Sequence, residues 1–315
     1  MMPQLMLTLK DQLPKIRGTY LFNEPLASYT TMKIGGPADV LFQPADVDDF
    51  IHFWKNKPVD VPVMFLGEGS NMMVRDGGVR GVVVRLGGAG AGVGSGVNDV
   101  LVNGHVIEAY AGATSGKVAR AAREHSLTGV EFLCGIPGSI GGALKMNAGA
   151  YGQETVDCLT SVDVVNEKGD VITLQPAELN FKYRHSDLPE GWAFLKATFT
   201  LKEGNKDEIR NRMRDINKNR ATSQPLNMPS SGSWFKNPKR EDLGIIHAWQ
   251  AVQKAECQGL QLGQAQVSEK HANFFVNLGG AKAADMEALS EQVEAKIKEK
   301  FGIVMHREVR IVGEK

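Results

Sequence analysis

Two glycine-rich segments have the composition of loops that bind phosphate groups. Gly67–Val74 (GEGSNMMV) directly follows a strand-like run, and Cys134–Gly152 (CGIPGSIGGALKMNAGAYG) is the longer of the two. Small residues let backbone N–H groups surround an anion such as a pyrophosphate. Taken alone, the shorter segment favours a tight turn over an anion site. The longer one has few side chains for a core of its own, which favours a surface for a flat cofactor over a loop that only packs on a sheet.

Neither segment matches the common nucleotide-binding motifs. Met72 stands where a GxGxxG fingerprint has its third glycine, so the first segment does not predict a Rossmann fold. Gly116-Lys117 is followed by Val118 and lacks the upstream glycine of a Walker A motif. A cofactor bound here therefore needs a different fold.

Composition excludes several classes of protein. The 315 residues include 36 basic side chains (Lys and Arg) and 36 acidic ones (Asp and Glu), so the formal net charge is zero. This balance does not predict binding to nucleic acid, which needs a basic surface. The cysteines Cys134, Cys158 and Cys257 lie far apart without a CxxC pair, which predicts neither a disulfide framework nor a metal site. The first residues do not resemble a signal peptide, and no run approaches the roughly 18 apolar residues of a membrane span. We expect a cytoplasmic protein with no membrane association and no obligate protein partner.

Hydrophobic periodicity predicts a mixture of helices and strands. Asp46 and Thr114 are expected to cap helices that begin at Val47 and Ser115. Two further helices are expected, one over 207–220 and one carrying Met286, Leu289, Val293 and Ile297 that ends near Gly302. Strands are expected at 61–66, 81–86, 105–112, 161–174 (a hairpin around Lys168-Gly169), 192–201, 265–267, 274–277 and 308–312. The pattern predicts an α+β fold, with a domain boundary at the charged helix that follows residue 204.

Several longer motifs occur in one order and resemble the UDP-N-acetylenolpyruvoylglucosamine reductase (UDP-N-acetylmuramate dehydrogenase) family. The two glycine segments belong to this set, and the others are FKYRHS, PSSGSWFKNP, VSEKHANFFVN and EKFGIVMHREVRIVGE. The resemblance runs from TTMKIGGPAD at Thr30 to the C-terminus. It implies an FAD-binding fold of the vanillyl-alcohol-oxidase type over 1–204, in two subdomains of about 1–75 and 76–204. A smaller α/β substrate-binding domain over 205–315 would then contribute Glu308 from the last strand.

The resemblance implies a non-covalent FAD that NADPH reduces, with the protein supplying placement and electrostatics. The reduced flavin would then reduce the enolpyruvyl ether of UDP-N-acetylglucosamine enolpyruvate to a lactyl ether, in peptidoglycan synthesis. The residues implied to line FAD are Gly67, Glu68, Gly69, Ser70, Asn71, Met72, Gly112, Gly135, Pro137, Gly138, Ser139, Gly141, Gly142, Asn147, Ala148 and Gly149.

Three residues match the positions at which the family has its catalytic groups. Arg184 in FKYRHS would hold and stabilise the enolate and carboxylate that develop in the reaction. Ser233 in SGSWF would donate the proton, and Glu308 in EVRIV would polarise the substrate carboxylate or assist proton delivery. Taken singly, each residue is more typical of a surface charge, a turn or a strand edge, and their joint occurrence in the family's order favours catalysis.

The resemblance also implies residues that bind the uridine diphosphate part of the substrate. These are Tyr183, Arg220 and Asn237. His271 in SEKHANFF has no visible partner in the sequence, and we interpret it as a structural or peripheral residue rather than a general base.

The chain departs from the family pattern between Asn237 and Gln266. Trp249 and Glu256 stand where glycines are expected, which predicts a more continuous helix here. The chain resembles the shorter, second type of the family. The glycines from Gly87 to Gly96 predict a flexible loop rather than a site.

Two other functions fit the same observations in part. An FAD-dependent oxidase acting on an alcohol or sugar would share the fold, because fold alone does not fix the reaction. A non-enzymatic nucleotide-sugar binding protein would leave Arg184, Ser233 and Glu308 idle. The motifs around these residues favour the reductase.

Overall fold

The structure, a computed structural model, describes residues 9–87 and 96–315. Its helices within these ranges are α1 (Leu9–Gln12), α2 (Val47–Asn56), α3 (Ser115–Glu124), α4 (Ile140–Lys145), α5 (Lys206–Ser223), α6 (Ala248–Lys254) and α7 (Ala283–Phe301). The strands are β1 (Thr19–Pro25), β2 (Pro37–Gln43), β3 (Val63–Phe65), β4 (Met72–Val74), β5 (Val79–Val84), β6 (Val100–Asn103), β7 (Val106–Tyr110), β8 (Leu127–Thr128), β9 (Gly149–Ala150), β10 (Gln153–Glu154), β11 (Leu159–Val165), β12 (Val171–Leu174), β13 (Ala193–Thr200), β14 (Lys202–Glu203), β15 (Ser230–Ser233), β16 (Gln261–Leu262), β17 (Ala265–Val267), β18 (Phe274–Asn277) and β19 (Arg310–Val312). The predicted flexible loop at Gly87–Gly96 lies almost entirely outside the described residues.

Three sheets carry most of the strands. Their strand orders are β1-β2-β5-β3, β12-β11-β13-β7-β6 and β15-β18-β17-β16. The five-stranded sheet is antiparallel throughout, and its β11–β12 hairpin turns at the predicted Lys168-Gly169. Strand β3 pairs in parallel with β5, and β19 pairs in parallel with β4. No helix in the described ranges combines the length and the apolar character needed to cross a lipid bilayer.

The chain divides into two compact units, each built from several segments. Among the described residues, the first unit comprises 9–22, 39–67, 80–87 and 96–213, and the second comprises Asn23–Ala38, Glu68–Val79 and Arg214–Lys315. These bounds differ from the predicted ranges 1–204 and 205–315, because two short early segments belong to the second unit. The functions assigned to those ranges stay predictions.

The predicted helix caps are confirmed at α2 and α3. Asp46 accepts a hydrogen bond from the backbone N–H of Asp49 at 2.9 Å, and Thr114 accepts one from that of Lys117 at 3.2 Å. Each side chain satisfies a donor that has no partner within the helix. The sequence therefore defines where both helices begin.

Each unit has its own apolar core. The first core packs α2 against the four-stranded sheet, where the Phe53 ring centroid lies 4.5 Å from that of Phe42, and α3 against the five-stranded sheet, where Phe199 is fully buried. In the second core, the predicted apolar stripe of α7 is completely buried, and the helix ends at Gly302 with φ +66°. A glycine adopts this left-handed conformation without the steric cost that a side chain brings, which explains the predicted stop.

The predicted continuous helix between Asn237 and Gln266 is wrong. Only a short turn of 3₁₀ helix at Glu241–Leu243 and the seven residues of α6 are helical in this segment. Glu256 adopts φ +58°, a conformation that favours glycine, soon after the helix ends. The backbone keeps the shape that a glycine would give it, although the residue has changed.

The last predicted strand begins later than expected. β19 starts at Arg310, so Glu308 lies two residues before the strand rather than inside it. The first glycine segment also contains a strand that the sequence did not predict, because Met72 opens β4. Part of the shorter glycine segment and part of the strand predicted at 308–312 thus form a short parallel pair, β4 with β19.

Candidate active site

The two glycine segments approach each other within the first unit. A Cβ atom on Gly67 would overlap Ser139 Oγ, and a Cβ on Gly141 would lie 3.1 Å from the Cβ of Ala111. Ser139 Oγ accepts a hydrogen bond from the N–H of Gly142 at 3.3 Å and so caps α4. Glycine is needed at Gly67 because the longer segment packs directly against it. The small residues at these positions therefore allow the close contacts.

Three further predicted cofactor residues of the first unit are Gly112, Gly135 and Pro137. Gly112 packs against the carbonyl of Leu86, where a side chain would overlap the backbone, and its N–H donates to Val97 O at 2.9 Å. Gly135 is buried at the end of a 3₁₀ helix, whereas Pro137 is exposed. Gly112 thus allows close backbone packing.

A buried hydroxyl lies at the start of α3. Ser115 is fully buried, and its Oγ has no hydrogen-bond partner among the described residues. Its backbone N–H donates to the carbonyl of Gly138 at 3.0 Å, which places the hydroxyl beside the longer glycine segment. An unpaired buried hydroxyl costs about 1–3 kcal/mol, which a bound polar ligand would recover. The sequence analysis missed Ser115, although the predicted cap at Thr114 places it in the first turn of the helix.

Asn147 uses its side chain within the protein. Its Nδ2 donates to Glu154 Oε2 at 2.7 Å and to the carbonyl of Lys182 at 3.3 Å, while its Oδ1 accepts from the N–H of Val156 at 3.1 Å. The residue is 1% exposed and has φ +39°. A cofactor contact at Asn147 would therefore come from its backbone. Its side chain instead ties the glycine segment to the turn that carries Arg184.

Arg184 lies at the tip of a tight turn. The backbone groups of Lys182 and His185 exchange two hydrogen bonds of 3.0 Å, which leaves Tyr183 and Arg184 between them. Arg184 adopts φ +56°, Nη2 donates to the carbonyl of Gly149 at 3.4 Å, and its guanidinium carbon lies 4.9 Å from the Tyr183 ring centroid. A strained backbone at a non-glycine residue persists only where the surroundings fix it, and such residues concentrate at functional sites.

The Arg184 turn and the glycine segment are joined at a further point. Ser186 Oγ donates to the carbonyl of Lys145 at 3.2 Å, and Ser186 is fully buried. Together with the bonds from Asn147 and Arg184, this contact holds the turn on residues 145–149. The structure therefore brings the predicted catalytic arginine, the exposed Tyr183 and the predicted cofactor residues Asn147, Ala148 and Gly149 together within the first unit.

The rest of the shorter glycine segment, Glu68–Met72, belongs to the second unit. Gly69 has φ +60°, and a Cβ there would lie 2.6 Å from the carbonyl oxygen of Tyr29. The hydroxyl of Thr31 donates to the carbonyl of Ser230 at 2.7 Å, and its N–H donates to the carbonyl of Gly69 at 3.2 Å. Glu68 and Ser70, on either side of Gly69, are half-buried. These bonds connect the predicted cofactor loop to the strand that carries Ser233.

Asn71 connects the same loop to Glu308. Its Nδ2 donates to the carbonyl of Glu308 at 3.2 Å, and its own carbonyl accepts from the N–H of Arg310 at 3.0 Å. The parallel pairing of β4 with β19 continues this register from Met72 onwards. The side chain of Asn71 thus positions the backbone of Glu308.

Ser233 and Glu308 are held by adjacent chain segments. Ser233 ends β15, where Gly232 with φ +78° accompanies a break in the strand register. The N–H of Glu308 donates to the carbonyl of Trp234 at 2.7 Å. Both predicted catalytic residues are half-buried, and each stays accessible to a ligand. The structure therefore brings Ser233 and Glu308 into one neighbourhood of the second unit.

Helix α7 is attached to the chain that follows the cofactor loop. Asp76 accepts hydrogen bonds of 3.0 Å from the N–H groups of Ala283 and Ala284, at the helix N-terminus. Arg75 forms two 2.9 Å bonds to the Glu287 carboxylate, and this pairing holds the pKa of Glu287 below its usual value. A cap and an ion pair thus fix α7 next to β4.

The two other predicted substrate residues bond to near neighbours. Arg220 Nε donates to Gln224 Oε1 at 3.3 Å near the end of α5. Asn237 Oδ1 accepts from the N–H of Ala248 at 3.0 Å, where α6 begins. Asn237 therefore has a structural role whether or not it also contacts a substrate.

His271 and the cysteines have ordinary structural surroundings. Burial lowers the pKa of His271, and its Nδ1 accepts from the N–H of Asn273 at 3.2 Å, as a neutral imidazole does. Burial raises the pKa of the Cys158 thiol to about 12, so this thiol stays protonated near neutral pH. Cys158 therefore lacks the thiolate that a nucleophile needs, and His271 stays interpreted as a structural or peripheral residue.

Comparison with known proteins gives matches along nearly the whole chain. A profile for the C-terminal domain of UDP-N-acetylenolpyruvoylglucosamine reductase matches residues 224–312, and a profile for an FAD binding domain matches residues 38–175. The reductase of that name from Paramagnetospirillum magneticum is 45% identical over 304 residues, which are 96% of this chain and 95% of that relative. The chain belongs to the UDP-N-acetylenolpyruvoylglucosamine reductase family.

Further relatives support the same assignment. The UDP-N-acetylenolpyruvoylglucosamine reductase of Azorhizobium caulinodans is 45% identical over 311 residues, covering 99% of this chain and 97% of the relative. The crystal structure of UDP-N-acetylenolpyruvylglucosamine reductase from Thermus caldophilus matches with a TM-score of 0.78 and 32% identity, over 95% of this chain and 100% of that one. The predicted family and the predicted α+β fold with an FAD-binding domain are confirmed, and the chain is an FAD-containing oxidoreductase.

Proposed function

We propose that the chain reduces UDP-N-acetylglucosamine enolpyruvate to UDP-N-acetylmuramate with electrons from NADPH. The observation that carries this proposal is 45% identity to two UDP-N-acetylenolpyruvoylglucosamine reductases over 96–99% of the chain. The motifs with Arg184, Ser233 and Glu308 all lie inside the matched range. The product would enter peptidoglycan synthesis, and through it cell shape and division. No disulfide joins Cys134, Cys158 and Cys257 in the part of the chain that the structure describes, which fits a reducing compartment and supports a cytoplasmic enzyme.

The residues near the glycine segments fit a bound FAD. Because Gly67 and Gly141 carry no side chain, the longer glycine segment packs closely against its neighbours in the first unit. The fully buried Ser115 hydroxyl has no hydrogen-bond partner among the described residues, and a bound ligand would supply one. Backbone N–H groups and small residues suit the diphosphate of such a cofactor. When bound, FAD supplies the transfer of a hydride from NADPH to the terminal carbon of the enolpyruvyl group.

Arg184 would bind the substrate carboxylate. A guanidinium stays protonated and forms two parallel hydrogen bonds to a carboxylate, which Lys does not do. The carbon next to the carboxylate gains negative charge as hydride arrives, and a fixed cation stabilises that charge most. The clamped turn, with its left-handed Arg184, provides a fixed cation of this kind.

Ser233 would donate its hydroxyl proton to the same carbon. The O–H bond of Ser233 breaks and a new C–H bond forms, which leaves an oxyanion on Ser233 that takes a proton back from solvent. A serine hydroxyl is a weak acid, so this transfer needs the strongly basic carbon that hydride addition creates. Glu308, on the neighbouring segment, would orient the substrate carboxylate or assist proton delivery. Tyr183, Arg220 and Asn237 would bind the uridine diphosphate part.

Anaerobic stopped-flow absorbance tests the proposal. NADPH should remove the absorbance of oxidised flavin, and UDP-N-acetylglucosamine enolpyruvate should restore it without oxygen. NADH in place of NADPH measures the preference for the phosphorylated nucleotide. Flavin that recovers its absorbance only with oxygen would show the oxidase instead, and a protein that cannot be reconstituted with FAD would contradict both.

A further inference from the structure

A chain of side-chain hydrogen bonds joins the neighbours of Ser233 and Glu308 through α7. Trp234 Nε1 donates to Ser290 Oγ at 2.7 Å, and Ser290 Oγ donates to Glu294 Oε1 at 2.8 Å. Arg307 Nε donates to the same Glu294 oxygen at 2.6 Å. Trp234 directly follows Ser233, and Arg307 directly precedes Glu308. The chain of bonds therefore begins beside one predicted catalytic residue and ends beside the other.

The direction of every hydrogen bond in this chain is fixed by chemistry. An indole N–H and a guanidinium only donate, whereas an ionised carboxylate only accepts. The hydroxyl of Ser290 must therefore accept from Trp234 and donate to Glu294. Ser290 and Trp234 are both fully buried, so water does not reach the bond between them. The hydroxyl of Ser290 thus satisfies the donor of Trp234 and the acceptor of Glu294 at the same time.

Backbone bonds fix the same two segments along their length. The N–H of Lys236 donates to the carbonyl of His306 at 2.8 Å, and the N–H of Glu308 donates to that of Trp234 at 2.7 Å. Asn273 exchanges hydrogen bonds of 3.0 and 2.9 Å with the backbone of Phe235. These bonds set the register, and the side-chain bonds to α7 set how the Trp234 ring and the Arg307 guanidinium are oriented.

We propose that Ser290 is a positioning residue that holds Ser233 and Glu308 in register for proton delivery, acting through Trp234 and Glu294. The inference rests on the proposed function, because it concerns the proton that Ser233 gives to the substrate. Ser290 does not itself contact the substrate in this account. A displacement of about 1 Å at a reacting group can lower a rate by about 10²-fold. The loss of the shared hydroxyl should therefore slow the step that uses this proton and no other.

The test compares two half-reactions in Ser290→Ala and in matched variants, each loaded with FAD. Reduction of the flavin by NADPH should stay within about twofold of wild type, whereas reoxidation by UDP-N-acetylglucosamine enolpyruvate should slow by about 10- to 100-fold. The solvent isotope effect on reoxidation should rise, because proton delivery becomes slower relative to the other steps. Ser290→Thr, which keeps a hydroxyl, should recover most of the rate.

Ser268→Ala is the matched control. Ser268 is another buried serine of the second unit, and its Oγ accepts from the N–H groups of Lys270 and His271 rather than joining this chain of bonds. Its loss should lower the melting temperature without changing either half-reaction. Equal reoxidation rates in wild type and Ser290→Ala, with only a lower melting temperature, would overturn the positioning role.

Trp234→Phe alone keeps the test decisive if Ser290→Ala folds poorly, because reoxidation at the wild-type rate in Trp234→Phe would overturn the inference, and a double-mutant cycle sharpens the test where both variants fold. Trp234→Phe removes the indole donor and leaves Ser290 bonded to Glu294. If the two residues act as one unit, Trp234→Phe and the Trp234→Phe/Ser290→Ala double variant should reoxidise at nearly the same rate. Fully additive losses would overturn the inference. A wild type that the enolpyruvyl substrate fails to reoxidise would instead overturn the proposed function, and that result is visible before any variant is made.

Discussion

The Arg184 turn of the first unit and the Ser233–Glu308 pair of the second unit are held in different ways. The turn is attached mainly to backbone carbonyls, because Asn147, Arg184 and Ser186 all donate to main-chain oxygens. Backbone bonds join the segments of the pair, and the adjacent residues Trp234 and Arg307 also bond to Ser290 and Glu294, two side chains of a long helix. One region depends on a strained local turn, and the other depends on a buried polar network.

This difference determines how each region should respond to mutation. A residue held by backbone carbonyls tolerates changes elsewhere, since nearly every residue supplies a carbonyl. A network of indole, hydroxyl, carboxylate and guanidinium fails when one member is removed, because the remaining buried groups lose their partners. We therefore expect distant mutations to affect proton delivery more than carboxylate binding.

The largest effect within the first region should follow Arg184→Lys. Lysine keeps the positive charge and the strained position but loses the two-pronged bond, at about 1.5–3 kcal/mol or about 10- to 150-fold in rate at low substrate concentration. Stopped-flow reoxidation by the enolpyruvyl substrate measures this loss. Arg210→Lys, at an exposed position of α5, is the control and should leave the rate unchanged. An unchanged rate in Arg184→Lys would remove Arg184 from carboxylate binding.

Asn147→Ala should have a smaller effect that combines stability with substrate binding. The substitution leaves Glu154, the N–H of Val156 and the carbonyl of Lys182 without this partner, at a cost of about 1–3 kcal/mol. We expect a lower melting temperature and a higher KM for the enolpyruvyl substrate, because the Arg184 turn loses one attachment. Asn23→Ala matches the left-handed backbone at an exposed site and should change stability alone. Equal KM values in both variants would show that Asn147 does not support the turn.

The smallest effect should appear in the pH dependence of stability at Glu287. Arg75 lowers the pKa of this carboxyl in the folded protein, so the pairing stabilises the fold above the unfolded pKa near 4.5 and is lost as pH falls through the folded pKa. The melting-temperature difference between wild type and Glu287→Gln should therefore be greatest above about pH 4.5 and shrink in acid. Glu291→Gln, exposed on the same helix, should show no such trend. A difference that grows in acid would contradict the assigned sign.

Local signals in the sequence predicted much of the secondary structure. Asp46 and Thr114 cap the expected helices, and the stripe from Met286 to Ile297 is buried in α7 as its period predicted. Each of these features depends on residues within a few turns of one another. Helix caps and apolar stripes can be predicted directly from the residue types, because they depend on interactions between residues close in the sequence.

Contacts between distant residues could not be predicted in the same way. β4 pairs with β19, which joins Met72 to Arg310, and three-residue strands of this kind have no periodic signal. The network through Ser290 could not be predicted either. The residues next to Ser290 in the sequence do not indicate that it bonds to the distant Trp234. Glu256 also gave a misleading signal, because the surrounding fold imposes a left-handed backbone on a residue that does not favour it. The motifs identified Arg184, Ser233 and Glu308 as candidates, but they did not identify what holds these residues in place.

The central claim is that Ser233 delivers the proton in the half-reaction that consumes the enolpyruvyl substrate. Ser233→Ala, studied by anaerobic stopped-flow absorbance, tests it most directly. Flavin reduction by NADPH should keep its wild-type rate, while reoxidation by UDP-N-acetylglucosamine enolpyruvate should slow by about 10²- to 10⁴-fold, the usual contribution of a positioned acid. Loss of both half-reactions together, or reoxidation at the wild-type rate, would contradict the role assigned to Ser233.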